Sequence, residues 1–158
     1  MTEQDRPAPG DNPRFRALIE ALSELSGLQA APGGLQAQAG PYLLRVLPDG
    51  SHDDRLVIEV KLASASDAPA AALALLHRVN HVARFHHGWQ ISLDEDDGIV
   101  LHTQRLISRT DARTLEALMA SGLERAAHVA GLWHKSLQAI DSGAPAPAFN
   151  WEPGALRA

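Results

Sequence analysis

The stretch Leu73–Leu106, LALLHRVNHVARFHHGWQISLDEDDGIVLHTQRL, decides how this chain is read. Within it Leu73, Leu76, Val79, Asn80, Ala83 and His87 recur at three- and four-residue intervals, which puts a mostly apolar stripe on one face of a helix, and Gly88 supplies the stop. The period then changes at once. Trp89, Ile91 and Leu93 alternate with Gln90 and Ser92, as in a strand with one buried face. The acidic run Asp94–Asp97 followed by Gly98 reads as a solvated turn, and Ile99, Leu101 and Thr103 begin the returning strand. A helix joined to a hairpin cannot bury its apolar faces alone, so the rest of the chain, or a second copy of it, must cover them.

Upstream, the polar first eleven residues read as a loose arm. Asn12 is placed to cap a helix that has Pro13 at its first position and runs to about Ser26, with Phe15, Leu18, Ile19, Leu22 and Leu25 on one stripe and Gly27 at the end. Ala30–Gly34 is expected to turn, and Leu35–Ala39 to form a short, mostly polar strand at a sheet edge. Tyr42–Leu47 makes a stronger strand, closed by Pro48-Asp49-Gly50. Arg55–Leu62 alternates Leu56, Ile58, Val60 and Leu62 against Arg55, Glu59 and Lys61, the pattern of an antiparallel strand buried on one side. Ala63–Ala68 links to the central helix, with Ser66 or Asp67 as its expected cap. After the hairpin, Thr110 or Asp111 caps a last helix carrying Leu115, Met119, Gly122, Ala126, Val129, Trp133 and Leu137, which ends near Ala139. The order is α-β-β-β-α-β-β-α, an α+β fold with helices on a twisted antiparallel sheet. It divides into an arm (1–11), one domain (12–140) and a Pro/Gly-containing tail (141–158) in which Phe149, Trp151 and Leu156 stand out.

Composition narrows the function. A chain of 158 residues buries about 70% of its unfolded surface, enough for a real core. A formal net charge of -5 gives no electrostatic reason to bind nucleic acid or anionic lipid. Without cysteine there is no disulfide scaffold, thiolate metal site or thiol nucleophile. The N-terminus has no apolar signal region and no segment has the apolar length of a membrane span, so a cytoplasmic location is expected.

Catalytic motifs do not emerge. No nucleophile elbow or glycine-rich phosphate loop occurs, and the acidic turn lacks the spacing of a calcium loop, so neither an enzyme nor a cofactor is expected. Of the 8 histidines, His77 and His81 lie one helical turn apart, and His86 or His87 would complete three ligands. No glutamate follows His77 to make a His-Glu-x-x-His motif. A histidine-based metal-binding or metal-sensing protein is therefore the alternative reading, as is a general interaction domain of this α+β fold.

The run LLHRVNHVARFHHGWQISLDEDDGIVLHTQRL followed by DARTLEALMASGLERAAHVAGLWHKSL resembles the class I type III secretion chaperones, the Tir chaperone family. The resemblance spans roughly Phe15–Leu137. It rests on Leu76 with Asn80, Gly88 with Ile91, the acidic turn before Val100-Leu101, the Gln104-Arg105-Leu106 exit, and Ala130, Trp133 and Leu137. It implies a cytoplasmic homodimer that binds the N-terminal region of a secreted effector as an extended chain and keeps it export-competent. Carried onto this sequence, the dimer residues are Val79, Val82, Phe85, Trp89 and Ile91, and the cargo-binding residues are Leu28, Leu35, Leu43 and Leu47. Gln36 and Gln38 depart from the family's more apolar first strand.

Overall fold

Helix α1 (Pro13–Ser26) starts where the sequence places it: the Asn12 side chain accepts from the backbone N–H groups of Arg14 and Phe15, and Gly27 ends the helix in the left-handed region. Phe15, Leu18, Ile19 and Leu22 are its buried face. A computed structural model describes residues 12–145 except Pro32; for Ala31, Val79 and residues 81–87 only the backbone is described. The N-terminal arm and most of the C-terminal tail thus lie outside the described residues.

After α1 come β1 (Ala30–Ala31), β2 (Gly34–Ala39), β3 (Tyr42–Pro48), β4 (Arg55–Ser64), α2 (Ala70–His87), β5 (Gln90–Leu93), β6 (Gly98–Leu106), one 3-10 turn at Ile107–Arg109 and α3 (Ala112–Asp141). The six strands form one antiparallel sheet in the order β1-β2-β3-β4-β6-β5. The expected element order is therefore present, with the two-residue β1 added inside the segment read as a turn. Two boundaries also differ. Strand β4 runs past Leu62 to Ser64, with a register shift between Lys61 and Ala63. Helix α2 starts after Pro69 with no side-chain cap, so neither Ser66 nor Asp67 plays that part. A proline placed just before the helix cannot cap with its side chain, but its fixed φ directs the chain into the first turn.

The sheet is covered on one face. Leu35, Leu44, Val46, Ile58, Val60, Leu101 and Ile91 join the buried stripes of α1 and α3 in one core. Fully burying a leucine or phenylalanine stabilises by about 1.5–3 kcal/mol, so these stripes hold the helical layer to the sheet. Two helices start from one end of the sheet. Asn12 Nδ2 donates to the Asp53 carbonyl, and Ile107 N–H donates to the Asp54 carbonyl just before α3, 2.8 Å away. Asp111 caps α3 by accepting from Thr114 N–H at 2.7 Å.

The hairpin is locked to α3 by close approach. A Cβ at Gly122 would sit 2.7 Å from the Trp89 ring, so only glycine lets the ring lie against the helix. Trp89 is accordingly 2% exposed.

Candidate functional site: the two edges of the sheet

Strand β2 presents a free backbone edge. The pair Ala31–Gly34 closes a two-residue loop and therefore exchanges both its hydrogen bonds, while Ala39–Tyr42 does the same on the other side of β2. These two closures agree: Leu35, Ala37 and Ala39 turn their backbone groups to β3, and Gly34, Gln36 and Gln38 turn theirs away from it. Strand β1 contributes only Ala30 and Ala31, which pair with Leu35 and Gly34, so past them the outward side of β2 at Gln38 faces no strand among the described residues. Gly34 is fixed here by its φ of 143° and by the Val46 carbonyl, which a side chain would strike. Beside this edge the end of α1 leaves Leu25 43% exposed, and Leu28 is half-buried against the core.

The opposite edge is built differently. Ile91 N–H, on the side of β5 away from β6, donates to Asn80 Oδ1 of α2 at 2.8 Å. Asn80 thus closes the one outward donor at the middle of a four-residue strand, which gives this family-like asparagine a physical role. Between α2 and β5 lies a cleft of about 190 Å³ whose walls include Leu73, Leu76, Asn80, Ile91 and Leu93. Leu93 is 46% exposed. An apolar side chain of that exposure next to an apolar cleft marks a surface that gains from being covered.

The uncovered sheet face is polar in its middle. Arg45 Nη2 lies 2.9 Å from Glu59 Oε2, and Lys61 Nζ lies 2.7 Å from Asp94 Oδ2. The Lys61 hydrogen bond, helped by the backbone N–H of Gly98, holds the Asp94 carboxyl below its usual range. His102, opposite Glu59 across the ladder, is pushed below the ordinary imidazole value by burial, against the pull of the Glu59 charge.

The residues expected from sequence do not form two patches. Leu35 is 1% exposed and faces the core, so it backs the β2 edge instead of offering a contact. Leu28 lies at that edge, whereas Leu43 and Leu47 sit on the uncovered face beside Lys61 and Val57. Trp89 and Ile91 are buried within the single chain, where the Trp89 ring lies against Gly122 of α3 and Ile91 pairs with Leu101. The side chains of Val79, Val82 and Phe85 are outside the described residues, as are those of His81, His86 and His87. Among the described residues no group of three or more His, Asp or Glu could hold a metal ion, and His77 is exposed. Leu25 and Leu93 were missed as surface residues. The available signal was position, since each is among the last residues of its element.

A helical layer on one face of an antiparallel sheet, with a helix-hairpin at one edge, is the architecture of the class I type III secretion chaperones. Residues 33–130 match the family of the Tir chaperone protein (CesT), and the chain belongs to that family. No curated sequence matches closely enough to count as a relative. Among solved structures, the fold is similar to that in the HopA1–SchA chaperone–effector complex, with 18% identity, a TM-score of 0.64 and coverage of 79% of this chain and 99% of that one. The ExsC–ExsE complex gives 18% identity and a TM-score of 0.62 over 75% of this chain and 92% of its own. The Yersinia pestis type III secretion chaperone SycH, solved with a stable fragment of YscM2, gives 18% identity and 0.56 over 72% and 98%. No described helix is long and apolar enough to cross a membrane.

Proposed function

We propose that this chaperone holds the N-terminal region of a secreted effector as an extended chain by adding one of its strands to the β2 edge, in the cytoplasm and as a homodimer. The outward backbone of β2 at Gln38, which no described strand pairs, and the exposed Leu25 carry this reading. An incoming strand gains main-chain hydrogen bonds there, and its alternate side chains meet Leu25 and Leu28. The HopA1–SchA neighbour was solved as a chaperone–effector complex, which supports an effector as the partner.

The dimer is assigned to α2 with the cleft and Leu93 at the β5 edge, an isologous contact in which the same patch is used twice. Val79, Val82 and Phe85 belong to that helix and remain the candidates for its contact stripe. Co-expression with candidate effectors tests the function: a cargo that co-purifies with two chaperones, and whose bound segment survives proteolysis, is the expected result. Recovery of only folded, protease-sensitive candidates would reject it. A strict monomer by light scattering at micromolar concentration would reject the dimer.

A further inference from the structure

We infer, on the basis of the strand addition proposed above, that β1 is a displaceable cover: the incoming effector strand docks first at Gln38, then evicts Ala30 and Ala31 and takes over their pairing with Gly34 and Leu35.

The backbone groups of the edge require it. Alternation along β2 turns Gly34, Gln36 and Gln38 outward. Ala31 exchanges both its hydrogen bonds with Gly34, and the Ala30–Leu35 pair engages the Gln36 N–H. With β1 in place, an added strand therefore meets full backbone pairing at Gln38 alone, because the Ala39–Tyr42 pair already closes the turn into β3. One residue's donor and acceptor are too little for a mode of binding whose affinity comes from a row of main-chain hydrogen bonds. Eviction of β1 lengthens that row to Gly34, Gln36 and Gln38. The two strands cannot share the edge, since one line of outward backbone groups takes one partner strand. Gln38 is the foothold from which the exchange starts.

Strand β1 is held weakly. It is two residues long, and so short a ribbon is marginal in water unless a packed face supports it. Both residues are alanine and Ala30 is exposed, so no large side chain seats the strand. The anchor before it is Leu28, half-buried against the core. After it, Gly33 has a φ of 84° and no neighbour within 4 Å of the place a Cβ would take, so packing does not fix the turn. An extended chain reaches about 20 Å from Leu28 to Gly34. The segment between them can thus bow off the edge while Leu28 stays seated and Gly34 stays against the Val46 carbonyl.

Amide exchange by NMR on the full chain tests eviction in two states: free, and with the protease-protected effector segment from the co-expression added as a synthetic peptide. In the free chaperone the Ala31 amide, although paired with Gly34, should exchange by local opening at least a hundredfold faster than the Ile58 amide of the central ladder. An Ala31 amide as slow as that of Ile58 would overturn the inference. With peptide bound, Gln38 should slow at least tenfold, Gln36 should stay protected, and Ala31 should lose its remaining protection. Protection gained at Gln38 with Ala31 unchanged would mean that the strand adds beside β1, so that strand addition stands and eviction falls. No gain at Gln38 would remove strand addition at this edge, and eviction with it. Ala31→Pro cannot donate to the Gly34 carbonyl and so isolates the competition. It should leave the Ile58 amide as slow as in the parent and tighten peptide binding at least fivefold; equal or weaker binding would overturn eviction.

Discussion

The two edges of the sheet solve the same physical problem in opposite ways. At β5 the exposed strand is only four residues long, its central donor is taken by Asn80, and the remaining surface is an apolar cleft. At β2 the side chains on the edge are polar, but past the two residues of β1 the outward backbone at Gln38 faces no described strand. Uncapped backbone invites a strand, whereas a capped strand next to exposed leucine invites side-chain packing. One protomer thus separates two kinds of association: backbone pairing at one side and apolar docking at the other.

The largest expected effect comes from removing what holds the β5 edge in place. Trp89→Ala deletes a ring that is 2% exposed and packed on Gly122, and should cost about 3–5 kcal/mol in urea unfolding. The reciprocal change, Gly122→Ala, pushes a methyl group into the same ring. It should cost about 1–3 kcal/mol from overpacking, less whatever alanine returns as a better helix former. If Gly122→Ala is stabilising, Trp89 has room to move and the β5 edge is not locked.

Proline substitution sharpens the contrast at the other edge. Ala37 turns its backbone to β3, so Ala37→Pro removes a ladder donor and leaves the Leu44 carbonyl short of a partner, at about 1–3 kcal/mol. Gln38 turns away, so Gln38→Pro should leave stability within about 0.5 kcal/mol of the parent. It should nevertheless weaken cargo binding at least tenfold. Paired measurement of unfolding and cargo affinity checks both; equal destabilisation by the two prolines would mean that the assigned edge direction is wrong.

At β5, Asn80→Ala takes away the partner of Ile91 N–H. The site is half-buried, so water replaces part of the lost bond, and a cost of about 1 kcal/mol is expected. A sharper sign is faster exchange at the Ile91 amide with no change at Gln36 or Gln38, which would separate the two edges in one spectrum.

Much of this architecture is legible in the amino-acid pattern, and the failures have one cause. Asn12, Pro13 and Gly27 mark α1 because capping is local chemistry, and the change from a helical to an alternating period at Gly88 marks the helix-hairpin. Alternation alone does not say which face is inside. Leu35 alternates with Gln36 and Gln38, and it is the packing of the helical layer that makes its side the inner one. Nor does the sequence show that Gly122, 33 positions on, makes room for the Trp89 ring against α3. Leu43 and Leu47 are on the uncovered face because they share a period with Arg45, which pairs with Glu59 there. What sequence reading lacks is the neighbour supplied by a distant element.

The smallest effect probes the face between the edges. His102 is opposite Glu59 on one side and Gln90 of β5 on the other, and burial lowers its pKa in the folded state. Protonation therefore favours the unfolded chain, which binds the proton more readily. The stability that neutral His102 contributes is complete above the unfolded value of about 6.5, declines as the pH falls through 6.5 towards the lower folded value, and is gone below it. Glu59 opposes the shift, and Arg45 limits that opposition by pairing with the same carboxylate at 2.9 Å. In urea unfolding the parent should lose more stability between pH 7.5 and 5 than His102→Gln, while Glu59→Gln, by removing the carboxylate that supports the imidazolium, should make the parent's acid loss steeper. An identical pH profile for the parent and His102→Gln would show that the histidine stays fully hydrated and that the uncovered face carries no buried charge cost between its two edges.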